Sequence, residues 1–122
     1  MSVPDRSIPF YSLILRCDRW QRRDPALPEG VRLRGWQPGD EAAWAALEYE
    51  IGDFASQEEA LAYFLETYCR DPRALARRCR FAVDGEGRVL GTCTAWRDPR
   101  EQGEIASLHW LAVSPHAQGR GL

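Results

Sequence analysis

The spacing of apolar residues changes its period near Arg80, and this change limits the chain to folds that combine helices with a sheet. Before Arg80, apolar residues recur at three- and four-residue intervals, as they do on one face of a helix. After Arg80, strand-like segments are separated by glycine-containing turns and polar loops. Helices followed by successive strands with short connections favour the α+β class with an antiparallel meander.

The first predicted helix follows the Pro38-Gly39 turn, and Asp40 is its expected N-cap. Apolar side chains at positions i, i+3 and i+7 form one stripe, which consists of Trp44, Leu47 and Ile51. Gly52 ends this helix. The stripe is the side that we expect the helix to bury.

The second predicted helix begins at Ser56, and Glu59 three residues later completes a capping box. Its expected buried face consists of Leu61, Phe64, Leu65 and Tyr68. Asp71-Pro72 then begins a short helical segment, because proline at the first helical position has no N–H that needs a partner.

Two strands are predicted before the helices. The segment from Ile8 to Cys17 is rich in Ile, Phe, Tyr and Leu, and a charged connector broken by prolines follows it up to Gly30. The segment from Val31 to Trp36 alternates apolar and polar residues, which is the period of a strand with one wet face. We therefore divide the chain into an N-terminal extra strand and connector over residues 1–30 and a domain over residues 31–122.

Three further strands are predicted to form the meander. Phe81 to Val83 and Val89 to Trp96 flank Asp84-Gly85-Glu86-Gly87, which is a hairpin signal. After a polar loop from Asp98 to Gly103, the last strand runs from Glu104 to Val113. Both faces of this strand are largely apolar, so we expect it to be central and covered on both sides. The predicted order of elements is β–β–α–α–β–β–β.

Composition excludes several classes of protein. The length of 122 residues is that of one domain, and a net charge of -2 argues against a general nucleic-acid binder. The longest uncharged apolar runs, Ile8 to Leu15 and Ile105 to Val113, are too short to span a membrane. The four cysteines show no zinc-ligand spacing, so no metal site is expected. No signal peptide is evident, and we expect a cytoplasmic protein without nucleic-acid or membrane partners.

The most informative stretch is the last one, where the final strand runs into Ser-Pro and then into Gln-Gly-Arg-Gly. Gly119 and Gly121 permit positive φ angles and leave no Cβ between the main chain and a ligand. Successive backbone N–H groups in such a loop bind phosphate oxygens, most strongly where a helix N-terminus follows. On its own, Gly-x-Gly is more often an ordinary glycine turn, and it completes neither a dinucleotide fingerprint nor a P-loop.

Strand and loop together resemble motif A of the GCN5-related N-acetyltransferases (GNAT), whose pattern is L-x-V-x-P followed by Q/R-x-x-G-x-G/A. The matching residues are Leu111, Val113, Pro115, Gln118 and Gly121. The order of the preceding elements also matches this family, and the resemblance covers roughly Val31 to Leu122. It implies an α+β, GNAT-like mixed sheet with antiparallel N-terminal strands and two helices.

The resemblance implies that acetyl-CoA is the co-substrate and that an amine attacks its thioester directly. Main-chain groups of Leu111, Ala112 and Val113 would pair with the pantetheine arm as an added strand does. The N–H of Leu111 would be the oxyanion donor. The residues that would surround the pyrophosphate are Gln118, Gly119, Arg120, Gly121 and Leu122. The identity of the amine acceptor is left open.

A general base must take a proton from the ammonium form of the acceptor, directly or through water. Histone acetyltransferases of this superfamily carry a Glu four residues before the Leu111 position, where this chain has Ser107. Arylalkylamine acetyltransferases instead carry a His in an L-H-x-L-A-V string. Leu108 to Val113 reproduces that string, so His109 is the candidate base. The structural alternative is a histidine that is packed and hydrogen-bonded in the sheet. Glu104 is the second candidate base.

The chain ends within the resembling motif. The last Gly/Ala position of the pattern would follow Leu122, and the next helix and the remaining strands of the family would lie beyond it. Two functions are therefore open, an acetyltransferase whose C-terminal part is missing from this sequence, or a non-catalytic interaction module. Without the later strands, the unpaired edge of the last strand predicts that this chain alone forms a homodimer or aggregates through that sheet edge.

Overall fold

Four strands form an antiparallel sheet in which the spatial order follows the order along the chain. The strands are β1 (Arg32–Gly35), β2 (Cys79–Val83), β3 (Val89–Arg100) and β4 (Gly103–Val113). These elements belong to a computed structural model that describes residues 7–9 and 14–122. The predicted α+β class and the predicted antiparallel meander are both confirmed.

Three helices lie between β1 and β2 along the chain. They are α1 (Asp40–Glu50), α2 (Gln57–Thr67) and the short α3 (Pro72–Arg78). Ser56 is the N-cap of α2, and its Oγ accepts a hydrogen bond from the N–H of Glu59 at 3.1 Å, as predicted. Within the described ranges, no helix is long and apolar enough to cross a bilayer.

The beginning of α1 differs from the prediction. Gly39, with a φ of 100°, occupies the N-cap position, and Asp40 is the first helical residue. The Asp40 carboxylate accepts hydrogen bonds from the Gln37 N–H at 2.7 Å and from the Arg34 guanidinium at 2.6 Å. The prediction that Asp40 is the N-cap is therefore wrong, because the carboxylate ties β1 and the preceding turn together instead.

The core is an aromatic cluster between the helices and one face of the sheet. Its largest fully buried side chains are Trp44, Tyr68, Phe64, Phe81 and Leu75. Trp44, Phe64 and Tyr68 of the predicted stripes belong to this cluster, and Leu61 packs against it. Leu47 is buried outside the cluster, whereas Leu65 is 46% exposed. The opposite face of the sheet is open to solvent near Leu33 and Leu108. The helices therefore cover one face only.

β4 lies at the edge of this sheet, and the prediction that it is central is wrong. In the described part of the chain it pairs with β3 alone. Its apolar residues Ile105, Leu108 and Leu111 are 53%, 68% and 68% exposed, respectively. The polar loop is also shorter than predicted, because β3 continues to Arg100 and β4 begins at Gly103. Apolar side chains on both faces of a strand indicate that the strand avoids water, but they do not show which part of the protein packs against it.

The strand predicted from Ile8 to Cys17 falls partly outside the described residues, which omit 10–13. The described residues of this segment, 8–9 and 14–17, are not in a strand. The connector that follows contains no helix or strand and is largely exposed up to β1.

Candidate active site

A β-bulge interrupts β4 at Trp110. The pairing with β3 passes from Thr94 opposite His109 to Thr92 opposite Ala112, so β4 has one extra residue over this stretch. Trp110 has a φ of 49°, which is rare for a bulky residue and is found at no other non-glycine residue that the structure describes. The bulge breaks the regular alternation of side chains along the strand.

Because of the bulge, two consecutive side chains, His109 and Trp110, both face the helices. In a regular strand they would point to opposite faces of the sheet. His109 contacts Tyr68 at the C-terminal end of α2. Trp110 packs with ring-centroid distances of 6.2, 5.0 and 5.4 Å against Trp44, Phe54 and Tyr63. The bulge thus places the His109 imidazole next to a group of packed aromatic rings, here called the aromatic wall, which consists of Trp44, Phe54, Tyr63 and Trp110.

Both ring nitrogens of His109 are hydrogen-bonded. Nδ1 lies 2.6 Å from Oη of Tyr68, and Nε2 lies 3.0 Å from Oδ2 of Asp98. The hydroxyl of Ser107 donates to the same carboxylate oxygen. A carboxylate only accepts, so in the neutral ring Nε2 carries the hydrogen and Nδ1 accepts from the Tyr68 hydroxyl.

Exposure increases along this network from one end to the other. Tyr68 is fully buried, whereas the side chains of His109 and Asp98 are 15% and 26% exposed. Hydrogen bonds from His109 and Ser107 lower the pKa of Asp98. Burial and then the neighbouring Tyr63 hydroxyl raise the pKa of Tyr68 above its usual range. Asp98 is therefore a carboxylate and Tyr68 a neutral phenol at physiological pH.

The structure separates the two sequence-derived candidates for the base. His109 lies at the bulge, next to Leu111. Glu104 lies at the exposed beginning of β4, where its carboxylate is 3.7 Å from the Arg97 guanidinium. It has no contact with the His109 network. Ser107 belongs to the network through Asp98.

Sequence reasoning missed Tyr68 and Asp98 as site residues, because it assigned the first to the core and the second to a loop. Two signals were available. A tyrosine hydroxyl buried with its ring needs a hydrogen-bond partner. Asp98 lies two residues after Trp96, so it faces the same side wherever the strand continues, and β3 does continue past it.

The loop after β4 contains two glycines in the left-handed backbone region. Gly119 and Gly121 have φ angles of 78° and 81°, as predicted, and a Cβ at either position would meet open space. Gln118 donates from Nε2 to the carbonyl of Val113 at 3.1 Å, which ties the loop to the end of β4. The segment from Gln118 to Leu122, including the Arg120 side chain, is exposed.

An open strand edge precedes this loop. β3 occupies one edge of β4, and no strand in the described ranges pairs with the other edge, along which Leu111, Ala112 and Val113 lie. An extended amide-containing group can pair with such an edge as an added strand. Edge and loop together fit an elongated ligand that carries amides at one end and phosphate at the other.

Comparison with known proteins identifies the class to which this fold and site belong. The acetyltransferase (GNAT) family matches residues 9–122, and the chain is a member of that family. The predicted resemblance to the GNAT family is thereby confirmed.

The curated proteins that the chain matches include several mycothiol acetyltransferases. The chain is 35% identical over 104 residues to the enzyme of that name from Salinispora tropica, and the match covers 81% of this chain and 33% of the relative. It is 38% identical over 109 residues to the one from Pseudarthrobacter chlorophenolicus, with coverages of 81% and 32%. The chain thus spans about a third of the length of the curated relatives that it matches.

Solved structures agree on the fold. One is the GNAT family N-acetyltransferase YhbS from Escherichia coli in complex with CoA, with a TM-score of 0.57, 24% identity and coverage of 83% of this chain and 53% of that one. Another is a GCN5-related N-acetyltransferase from Sphaerobacter thermophilus, with a TM-score of 0.53, 22% identity and coverages of 79% and 29%. At these identities the likeness establishes the GNAT fold and nothing finer.

Proposed function

We propose that the chain is part of an acetyl-CoA-dependent N-acetyltransferase in which an amine acceptor attacks the thioester directly. One observation carries the proposal: a hydrogen-bonded imidazole, His109, precedes a bulge that leads directly into an open strand edge and a glycine loop. Acetyl-CoA supplies the activated acetyl group when it is bound. A proton acceptor beside a strand edge that holds the acyl donor is what amine acetylation requires.

Backbone groups of this chain are proposed to hold the co-substrate. The main chain of Leu111, Ala112 and Val113 offers its free edge to the pantetheine amides. The N–H groups from Gln118 to Leu122 face the pyrophosphate, helped by the positive φ angles of Gly119 and Gly121. Arg120 adds a positive charge to an exposed loop.

The bulge supports Leu111 as the oxyanion donor. Over the bulge, Trp110 and Leu111 together oppose the single residue Cys93 on β3. Two residues opposite one leave part of the ladder unpaired, so an N–H at this point is available to a ligand. A backbone N–H that donates where charge develops on the carbonyl oxygen lowers the barrier to acyl transfer.

His109 is proposed as the proton acceptor, and Glu104 is the second candidate. The acceptor itself is not defined by the residues described here. The curated relatives are named for mycothiol, so amines related to mycothiol are the first acceptors to assay.

Calorimetric titration with acetyl-CoA tests the binding half of the proposal. Gly121→Ala places a Cβ at a φ of 81°, which costs about 1–2 kcal/mol and should weaken acetyl-CoA binding by roughly 5- to 30-fold. Gly103→Ala is the matched control, since Gly103 also has a positive φ, 115°, but lies at the opposite end of β4. Equal losses of affinity in both variants, or no binding by the wild type, would contradict the proposal.

Steady-state kinetics with an amine acceptor tests the catalytic half. His109→Gln should lower kcat by about 10²- to 10⁴-fold and leave acetyl-CoA affinity nearly unchanged, because backbone groups hold the co-substrate. Glu104→Gln should have little effect. If the kinetic loss appears in Glu104→Gln and not in His109→Gln, the roles of the two candidates are reversed.

A further inference from the structure

We propose that Tyr68, His109 and Asp98 form a proton relay, in which Asp98 fixes the tautomer of the imidazole and Tyr68 delivers the acceptor's proton to Nδ1. This inference rests on the proposed function, because it assigns roles within amine acetylation. Asp98 is a positioning residue in this scheme, and Tyr68 is the group through which His109 reaches the acceptor.

The tautomer follows from the partners of the ring. The Asp98 carboxylate, 3.0 Å from Nε2, requires a hydrogen on that nitrogen. The second donor to Asp98, the Ser107 hydroxyl, keeps the carboxylate in place and deprotonated. The lone pair of the neutral ring is therefore on Nδ1, which faces Tyr68 at 2.6 Å. His109 has no free nitrogen that could contact an amine directly.

Both ring nitrogens of His109 have hydrogen-bond partners in the neutral ring and in the protonated ring. In the neutral ring, Nδ1 accepts from the Tyr68 hydroxyl. In the imidazolium, both N–H groups donate, one to the Tyr68 oxygen and one to the Asp98 carboxylate. No hydrogen bond is lost when the proton arrives, and the carboxylate balances the new positive charge. A purely structural histidine needs only one of these arrangements.

The transfer moves a single proton in total. The Tyr68 Oη–H bond breaks as an Nδ1–H bond forms, Oη takes the proton of the Tyr63 hydroxyl, and the Tyr63 oxygen takes a proton from the acceptor's ammonium group. Because the Tyr68 phenolate is disfavoured by burial, the transfers are concerted. The products are the neutral amine, the neutral Tyr68 phenol and the His109 imidazolium.

Tyr63 provides the outer end of the relay. Its ring packs edge-on against that of Tyr68 with the centroids 6.0 Å apart, and its proximity contributes to the raised pKa of Tyr68. Tyr63 is only partly buried, and its ring packs 5.4 Å from that of Trp110 at the bulge. In this relay the acceptor's ammonium group lies beside Tyr63 of the aromatic wall, and the proton passes by way of the Tyr63 and Tyr68 hydroxyls to the partly buried imidazole.

The titratable and charged groups around His109 come from three elements. They are Tyr63 and Tyr68 from α2 and its cap, Asp98, Arg100 and Cys93 from β3, and Cys79 from β2. Among these, Asp98 is the charged group in direct contact with the ring. A change in the pH profile on replacing Asp98 is thus attributable to that contact.

Nitrogen-15 NMR of the histidine rings tests the tautomer without reference to activity. The chain has only two histidines, so His116→Gln assigns both signals. Above the titration range, wild-type His109 should be the Nε2–H tautomer. Asp98→Asn should convert it wholly or partly to the Nδ1–H tautomer, because the amide can donate to Nε2.

Kinetics with the amine acceptor tests the relay. Asp98→Asn should lower kcat by about 10²-fold or more without changing the KM for acetyl-CoA, and should lower the apparent pKa of the kcat/KM profile. Tyr68→Phe should lower kcat by about 10²-fold or more, and its His109 tautomer should remain Nε2–H. Tyr49→Phe, on the exposed side of α1, is the matched control and should retain wild-type kcat.

The outcomes separate the relay from the function on which it rests. An active wild-type enzyme with an Nδ1–H tautomer, or Asp98→Asn and Tyr68→Phe variants within about threefold of wild-type kcat, would overturn the relay alone. If the tautomer is as expected but no amine is acetylated, the proposed function fails and the relay fails with it. The relay is supported if Asp98→Asn and Tyr68→Phe both lower kcat, leave the KM for acetyl-CoA unchanged and show the expected tautomers of His109.

Discussion

Replacing Glu48 by glutamine should stabilise the protein, and the gain should grow as the pH rises. Glu48 lies on α1 and is fully buried, and within the described part of the chain neither of its carboxyl oxygens receives a hydrogen bond. Burial and then the neighbouring Asp53 carboxyl raise the pKa of Glu48 to about 9. At neutral pH the buried group is therefore the neutral acid, which can donate to Asp53 as a carboxylate could not.

The magnitude follows from proton linkage. The folded protein binds this proton more tightly than the unfolded chain, in which the pKa is 4.5. Protonation of Glu48 contributes its full share to the free energy of unfolding below the pKa of the unfolded chain. As the pH rises from there towards about 9, this contribution is lost at about 1.4 kcal/mol per pH unit. At pH 7 the loss is about 3 kcal/mol. Glutamine has nearly the same shape, carries an amide that can donate a hydrogen bond, and does not titrate.

Urea unfolding, followed by tryptophan fluorescence from pH 5 to pH 8, measures this effect. The gain from Glu48→Gln should be below about 1 kcal/mol at pH 5 and reach about 3 kcal/mol at pH 7, with unchanged m. Glu66→Gln, at an exposed position of α2, is the matched control and should stay within about 0.5 kcal/mol of wild type. A gain that is equal at pH 5 and pH 8, or a loss of stability at pH 7, would refute the reasoning.

Three further predictions concern the cap of α2, the packing of β1 and the edge of the sheet. Ser56→Ala should cost about 1 kcal/mol in urea unfolding, because the N–H of Glu59 loses its acceptor, and an unchanged midpoint would contradict this. Gly35→Ala should cost about 1–3 kcal/mol, since a Cβ there would collide with the Ala76 carbonyl oxygen, whereas Gly85→Ala in an open turn should cost less. Through the open edge of β4 the chain alone should dimerise or aggregate, and light scattering that shows a stable monomer at high concentration would rule this out.

Local sequence signals were enough for the helices and strands from Val31 onwards and for the glycine loop after β4. The helical stripes around Trp44 and Phe64 and the alternating strands appear where the periods placed them, because these periods follow from backbone geometry. The cap at Ser56 and the positive φ angles of Gly119 and Gly121 also depend on neighbours within a few residues. Such features can be read from a short stretch of chain.

The arrangement of the site depended on partners far apart in the chain. Tyr68 and His109 are 41 residues apart, and their hydrogen bond exists because the bulge at Trp110 turns consecutive side chains towards α2. A bulge depends on the register between two strands, for which the residues of β4 give no local sign. The edge position of β4 and the burial of Glu48 are likewise set by what packs against them. Sequence patterns show which surfaces avoid water, whereas tertiary packing determines which groups meet there and how their protons are shared.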